Sequence, residues 1–389
     1  MSDKVRVTGK AAQDTIRIVH VIVGLNVGGA ELMLKRLILS QLNTDRYQHS
    51  VISLTGVGEI GRDLRAEGIE VCALNMINAK NVFRAFFDLR KKLDLIRPDI
   101  VQTWMYHADL IGGLAAYSVG LRKIIWGIRT TDVKAGGGRV TRGVRKACAV
   151  LSYFIPTKIV CAANASRDVH VQVGYNKSKM IIIPNGFDVE RLIKDSRSKD
   201  KLRTGLGYTS DDIVIGSVGR FNAVKDQKSF IQAAGILAKS HSNVRYLMVG
   251  RDIDTDNLAL KGWIEETGFP EYFLLLGQRQ DVPACLAAMD IFCLHSRTEG
   301  FPNVVGEAMV LGKPCVVTDV GDAAYLVQNS GIVVARDNPP ELADGLAQML
   351  KLSKSDLDLL GVLGRKRIQS QFTMVHTAHL FETLYDQIM

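Results

Sequence analysis

The sequence predicts an α/β protein built from two doubly wound, Rossmann-like parallel-sheet domains placed one after the other along the chain. Short β-branched runs alternate with helical patterns almost throughout. These runs fall into a set of seven and then a set of six, and each set opens on a strand followed by a glycine-bearing turn. At 389 residues the chain is also too long for one ordinary hydrophobic core.

In the first set, strands are expected at Ile16–Val23, Ser50–Leu54, Ile69–Ala73, Ile100–Trp104, Ile124–Ile128, Lys158–Ala162 and Met180–Ile183. In the second they are expected at Ile213–Val218, Val244–Val249, Tyr272–Leu276, Ile291–Leu294, Pro314–Thr318 and Ile332–Val334. Strands alternating with helices in this way ask for parallel sheets covered on both faces. The division that follows is 1–190 for an N-terminal domain, 191–370 for a C-terminal domain and 371–389 for a terminal helix. The polar stretch Asp195–Gly207 is the expected linker. In the last helix Leu380, Leu384 and Ile388 share a face with Phe381 beside them, so that helix should pack back on the first domain.

Composition narrows the class. Apolar residues make up 47% and charged residues 23%, the balance of a soluble globular protein. No apolar run approaches the roughly 20 residues a bilayer span needs. The N-terminal MSDKVRVTGKAAQDT is polar and lacks the apolar core of a secretory leader, so a cytoplasmic location is expected. Cys72, Cys148, Cys161, Cys285, Cys293 and Cys315 are widely spaced without a CxxC pair, which suits buried thiols in a reducing compartment. Neither the histidines nor the cysteines show metal-ligand spacing, and no metal or other cofactor is expected. The net charge of +9 is unevenly placed: 27 Lys and Arg against 16 Asp and Glu up to Glu190, then 22 against 24. Something anionic is therefore expected to meet the first half.

Two glycine loops stand at strand-to-helix turns. The first is Gly24-Leu25-Asn26-Val27-Gly28-Gly29-Ala30-Glu31. Adjacent glycines let a backbone approach a ligand, and a helix start offers amides to an anion. The spacing is not GxGxxG and no acidic residue follows in the dinucleotide position, so NAD-type binding is disfavoured. A turn that merely needs positive φ accounts for this loop equally well. The second, Val218-Gly219-Arg220-Phe221-Asn222-Ala223-Val224-Lys225-Asp226, adds two cations. Arg220 offers a planar fork and Lys225 a movable point charge, which together suit a diphosphate.

Glu299 and Glu307 flank Gly300-Phe301-Pro302-Asn303-Val304-Val305-Gly306. A strand precedes them, and Val304, Val305, Ala308, Met309 and Leu311 follow at helical spacing. A helix should begin near Pro302 or Asn303, with Pro in its first turn and Asn as a cap. Glu299 then lies at the carboxyl end of a strand, where open α/β sheets bind ligands. The amides of Asn303, Val304 and Val305 would face phosphate oxygens. Carboxylates repel phosphate, so each glutamate should accept hydroxyls of a sugar or ribose. An E-x7-E spacing alone is a poor signal, and its placement gives it weight.

The run TEGFPNVVGEAMVLGKPCVVTDVGDAA closely resembles the hallmark segment of retaining glycosyltransferases of family 4, which have the GT-B fold of two Rossmann-like domains facing across a cleft. GLNVGGAE, HADLIGGLAA, IIPNGFDVERL, SVGRFNAVKD, YLMVGRD and LLGQRQDVPACLAAMDIFCLHSRTEG extend the resemblance over nearly the whole chain, in order. It implies a nucleotide-sugar donor, UDP in preference to GDP, and metal-independent transfer. Gly28, Gly29 and Gly219 would lie against the donor, and His107 near the transferred sugar. Arg220 and Lys225 would neutralise the leaving diphosphate. The segment around Arg279 would frame the base, largely through its backbone. Glu299 would bind sugar hydroxyls and Glu307 the ribose. Front-face displacement without a protein nucleophile is implied, unlike retaining glycosidases with their paired carboxylates. One departure is Tyr325, where many relatives carry Glu. The run Asp252, Asp254, Asp256 reads as solvated loop acids.

Arg139, Arg142, Arg145 and Lys146 fall on one helical side of a segment that turns apolar from Ala147 to Ile155, beside a flexible 135–138 loop. A basic amphipathic helix of this kind can lie on an anionic membrane, and a scaffold helix entering the core is the competing reading. A nucleic-acid partner lacks any motif. The expected acceptor is a lipid-linked saccharide in cell-surface polysaccharide assembly, met by a monomer or weak dimer peripheral to the inner face of the plasma membrane. The rivals are a nucleotide-sugar epimerase of related fold and a non-catalytic sugar-nucleotide-binding subunit.

Overall fold

The computed structural model describes residues 15–42, 44–77, 81–131 and 138–389. The chain opens with β1 (Ile16–Ile22), α1 (Gly29–Ser40), β2 (Tyr47–Ser53), α2 (Gly58–Ala66), β3 (Glu70–Ala73) and α3 (Val82–Ile96). It continues with β4 (Ile100–Trp104), α4 (Tyr106–Ser118), β5 (Ile124–Ile128), α5 (Arg139–Leu151), β6 (Lys158–Cys161), α6 (Asn164–Gln172) and β7 (Met180–Ile182). After α7 (Val189–Asp195) and α8 (Lys199–Gly205) come β8 (Ile213–Val218), α9 (Gln227–Ala238), β9 (Val244–Val249), α10 (Leu258–Glu265) and β10 (Phe273–Leu275). The last third holds α11 (Val282–Ala288), β11 (Ile291–Leu294), α12 (Asn303–Val310), β12 (Cys315–Thr318), α13 (Ala323–Val327) and β13 (Gly331–Val334). Helices α14 (Pro339–Leu350), α15 (Lys354–Gln371) and α16 (Met374–Ile388) close the chain.

The strands form two parallel sheets. One has seven strands in the order β3-β2-β1-β4-β5-β6-β7, the other six in the order β10-β9-β8-β11-β12-β13. This is the doubly wound arrangement that the strand–helix alternation predicts. Both faces of the second sheet are buried, as parallel strands require. Val214, Leu247, Phe292 and Val317 enter one apolar cluster. Their neighbours Ile215, Tyr246, Met248, Cys293 and Val316 enter another.

The chain folds into two compact units. One runs up to Trp126 and takes in Phe154–Lys158 and Tyr385–Met389; the other comprises Gly127–Tyr153 and Ile159–Leu384. In the first unit a buried polar row lies along the sheet. Trp104 Nε1 donates to His20 Nδ1 at 3.3 Å. The His20 proton must then sit on Nε2, which donates to His49 Nδ1 at 3.0 Å. Burial holds both imidazoles neutral: it pushes His49 down to about 4 and His20 well below its ordinary value.

Two local expectations change. The stretch Asp195–Gly207 is not a bare linker, because α8 forms within it. Arg203 there donates to the Ala288 carbonyl at 2.8 Å and to Asp290 at 3.0 Å, contacts that a polarity count cannot foresee. In α16 the most deeply buried line passes through Phe381, Leu384 and Tyr385, while Leu380 and Ile388 are only half-buried. Tyr385 is polar enough to be overlooked, yet its ring meets Tyr47 edge-on at 5.7 Å and its hydroxyl donates to Gln102 at 2.7 Å. Tyr385→Phe leaves that Gln102 oxygen buried without its donor and should cost about 1–3 kcal/mol. Urea unfolding of the two proteins checks this; equal midpoints would mean that the bond contributes nothing.

Candidate active site

In an open doubly wound sheet, ligands bind outside the carboxyl ends of the strands, where the strand order reverses. The reversal in the first sheet lies between β1 and β4, and in the second between β8 and β11. Gly28 and Gly29 follow β1, and His107 follows β4. Arg220 and Lys225 follow β8, and Glu299 follows β11. These six candidates therefore sit at the switch point of their own sheet, whereas Arg279 follows the edge strand β10.

In the first unit, Gly28 caps α1 in an extended conformation, φ −163°. The positive-φ explanation for this glycine thus fails. A Cβ at Gly28 would meet the Glu31 carboxylate, which lies over the same helix start. On the other strand, Met105 caps α4 at φ 74°, a conformation that costs a side-chain-bearing residue energy and that often marks functional sites. His107 is the second residue of α4 and is half-buried. Burial lowers its pKa, which favours a neutral imidazole.

In the second unit the loops after β8 and β11 meet through side chains. Lys225 Nζ donates to Glu299 Oε1 at 2.5 Å, and Ser296 Oγ donates to the same oxygen at 2.6 Å. The two charged side chains are 24% and 12% exposed, so the pair is largely screened from water. Thr131 reaches the Glu299 carbonyl and lies 3.1 Å from Thr298 Oγ1. Arg220 is exposed, and among the described residues no carboxylate pairs with its guanidinium. Its backbone is fixed, however: Gln227 Nε2 donates to the Arg220 carbonyl at 2.9 Å. The backbone at Gly219 is approached by Gly250, where φ is +152° and any Cβ would collide with the Gly219 carbonyl.

Helix α12 starts at Asn303 with Pro302 as its cap. Asn303 is therefore not the cap: its side chain instead accepts from Asn185 Nδ2 at 2.7 Å. The Val305 amide donates to the Pro302 carbonyl at 3.1 Å, closing a tight first turn. Of the three amides expected to face an anion, those of Asn303 and Val304 are the ones that helix geometry leaves without an intrahelical acceptor. Glu307 lies half-buried in the second turn. Arg279 pairs bidentately with Asp281 at 2.8 and 2.7 Å, which ties its guanidinium to its own loop. Among the described residues no group of acidic, histidine or cysteine side chains could hold a metal ion, and this includes the Asp252–Asp256 run. The first three residues of the 135–138 loop lie outside the described residues.

Several residues here were not visible from motif reasoning. Arg129 Nη1 donates to Asn185 Oδ1 at 2.6 Å, so Arg129, Asn185 and Asn303 form a relay ending at the start of α12. Asp322 receives the Asn164 and Ala165 amides at 2.7 and 2.9 Å, capping α6 from far along the chain. Polar residues at the ends of predicted strands were the available signal, but nothing in the sequence gives their partners. Tyr325, the position that departs from the family pattern, stacks its ring against Arg367 at 5.2 Å.

Comparison with known proteins agrees with this reading. Residues 27–191 match the Glycosyltransferase Family 4 domain, and residues 212–352 match the Glycosyl transferases group 1 domain. The chain is 24% identical over 307 residues to the UDP-Gal:alpha-D-GlcNAc-diphosphoundecaprenol alpha-1,3-galactosyltransferase of Escherichia coli, covering 78% of this chain and 79% of that protein. It is 24% identical over 379 residues to the N,N'-diacetylbacillosaminyl-diphospho-undecaprenol alpha-1,3-N-acetylgalactosaminyltransferase of Campylobacter jejuni, covering 94% and 98%. Among solved structures it resembles Anabaena HepE in complex with UDP, with a TM-score of 0.81 at 21% identity over 95% of this chain and 100% of that one. Two domain matches in the right order, on two doubly wound sheets with their polar residues at the switch points, make this chain a glycosyltransferase of family 4 with the GT-B fold.

Proposed function

We propose that this glycosyltransferase moves a hexose-type sugar from a UDP-sugar to a lipid-linked saccharide, with retention at the anomeric carbon and without a metal. The observation that carries the reading is the Lys225–Glu299–Ser296 constellation at the second switch point, beside the N-terminus of α12. Arg220 and Lys225 neutralise the departing diphosphate, and the Asn303 and Val304 amides add the positive end of a helix dipole. Glu299, oriented by Lys225 and Ser296, accepts sugar hydroxyls, and Glu307 accepts the ribose. The half-buried, neutral His107 serves a hydroxyl of the transferred sugar, and Gly28, Gly29 and Gly219 let backbone approach the donor. The loop around Arg279 frames the base through its main chain. A glutamate already held by an ammonium and a hydroxyl is better placed to bind than to attack, which supports front-face displacement over a covalent enzyme intermediate.

The donor and acceptor classes rest on the relatives. The Escherichia coli protein is named for UDP-Gal and a diphosphoundecaprenol acceptor, and the HepE structure holds UDP. In this reading the domain at 1–190 takes the acceptor and the domain at 191–370 the donor, with 371–389 packing back on the first. The protein works as a monomer or weak dimer in the cytoplasm, against the anionic inner face of a membrane. Helix α5 supports that placement: Arg139, Arg142 and Lys146 are exposed on it, as are Val140 and Val150, with Phe154 just beyond at 69% exposure. Among the described residues no helix is long and apolar enough to cross a membrane.

The test is incubation with a panel of radiolabelled nucleotide sugars and a membrane lipid extract, with and without EDTA. Label entering the lipid fraction from a UDP-sugar, undiminished by EDTA, is the expected result. Isomerised donor without labelled lipid, or binding without turnover under every condition, would overturn the proposal.

A further inference from the structure

The imidazole of His295 is buried against the Lys225 backbone, and the mechanism above leaves it unused. It follows β11 directly and is 4% exposed. Its Nδ1 lies 2.6 Å from the Lys225 carbonyl oxygen. A carbonyl can only accept, so Nδ1 carries the proton, and Nε2 must accept from Ser217 Oγ at 2.5 Å. The ring is stacked on Phe230 with centroids 5.0 Å apart. Both nitrogens are thus used and the ring is fixed in its plane. Burial brings the His295 pKa down to about 4, so the same neutral tautomer persists across the neutral pH range.

A second set of contacts acts on the residues either side of Lys225, Val224 and Asp226. The Arg297 amide donates to the Val224 carbonyl at 2.8 Å. The Arg297 guanidinium pairs with Asp226 at 3.0 Å, and that carboxylate is 2% exposed. Asp226 itself is held at φ 55°, which an isolated chain would avoid. The peptide groups on either side of Lys225 are therefore gripped from the end of the neighbouring strand, by residues two apart. From this gripped backbone the flexible lysine stem needs to settle only its own rotamers to place Nζ on Glu299.

We infer that His295 is a positioning residue for sugar transfer, holding the Lys225 backbone so that the ammonium stands where the leaving diphosphate is neutralised. The inference rests on the role proposed above for Lys225. A cation displaced by as little as an ångström stabilises a developing charge poorly, and misplacements of that size can cost about 10²-fold in rate. His295→Phe keeps the ring on Phe230 and removes both hydrogen bonds. His295→Asn restores a donor near the position of Nδ1.

The experiment is steady-state transfer from the UDP-sugar that labels lipid in the panel, with wild type, H295F, H295N, K225A and H295F/K225A, alongside thermal melts. The expected result is a fall in kcat of about 10–100-fold for H295F with donor KM within about twofold. Recovery of most of that loss in H295N, and a double variant no slower than K225A, complete the pattern, because a residue acting only through Lys225 cannot add to its removal. If H295F transfers at the wild-type rate while K225A does not, the positioning role is wrong. The same holds if the two losses multiply, which would make His295 merely structural. If K225A itself turns over normally, the reading of Lys225 fails instead. Should H295F not fold, Ser217→Ala loosens the ring at Nε2 alone: a severalfold drop in kcat at unchanged KM supports the inference, and an unchanged kcat overturns it.

Discussion

Replacing Lys225 by alanine lowers kcat for sugar transfer by about 10²–10³-fold, the usual effect of removing one preorganised group from a developing negative charge. The ammonium is the movable member of the cation pair after β8, and it is already oriented on Glu299 at 2.5 Å. Glu299→Ala gives a loss of similar size by a different route: it removes the hydroxyl acceptor and frees the lysine from its guide. The two losses do not add in the double mutant, which should be close to the worse single variant because the pair acts as a unit. A stability cost accompanies the kinetic one. Without Lys225 the Glu299 carboxylate, 12% exposed, keeps its bond from Ser296 alone among the described residues. Leaving a charge so enclosed without its partner costs about 1–3 kcal/mol. Kinetics with a saturating acceptor, run beside a melt, test both halves. Near-normal turnover in K225A removes Lys225 from the chemistry.

Acidification lowers the protein's stability between pH 6.5 and about 4, before its carboxylates titrate fully. His49, His170 and His295 are each brought down to about 4 by burial, from an ordinary value of 6.5. Their unfolded forms therefore bind protons more tightly than their folded forms. The stability they contribute is whole above pH 6.5, falls through the window down to about 4, and changes no further below it. A drop of that size corresponds to about 3 kcal/mol per group, so three groups together approach the whole stability of an ordinary domain. His20 shifts in the same direction and deepens the effect. Urea midpoints should stay level from pH 8 to about 6.5 and fall steadily from there to pH 5, with unfolding taking up about three to four protons in the middle of the 6.5-to-4 window. A midpoint that stays flat between pH 6.5 and pH 5 would contradict the neutral, buried state of these rings.

Much of the fold could be read from the chain because its signals are local. The strand runs needed only β-branched spacing and turn glycines, and errors stayed at their ends. The expected Ser50–Leu54 run, for example, begins at Tyr47, because Tyr47 pairs with Ile16 on β1 and packs its ring on Tyr385. Lys225, Glu299 and His107 were legible as candidates because motifs keep them next to strand ends. Their states were not legible. That Lys225 is paired with Glu299, that Asn303 answers Asn185 instead of capping its helix, and that Val305 spends its amide on Pro302 all depend on the folded arrangement of the loops.

The sequence by itself determined the two-sheet architecture, the family and the positions of the charged loops, since periodicity and short motifs survive without knowledge of any partner. Only the tertiary structure decided which strand ends are neighbours. Strand order reverses between β1 and β4 and again between β8 and β11, and this places loops far apart in sequence at each switch point. Partnership is a matter of a few ångströms between side chains, and no one-dimensional pattern carries that distance. The same reason hides His295 in the sequence, where it is one histidine among eight, and reveals it in the fold between Ser217 and the Lys225 carbonyl.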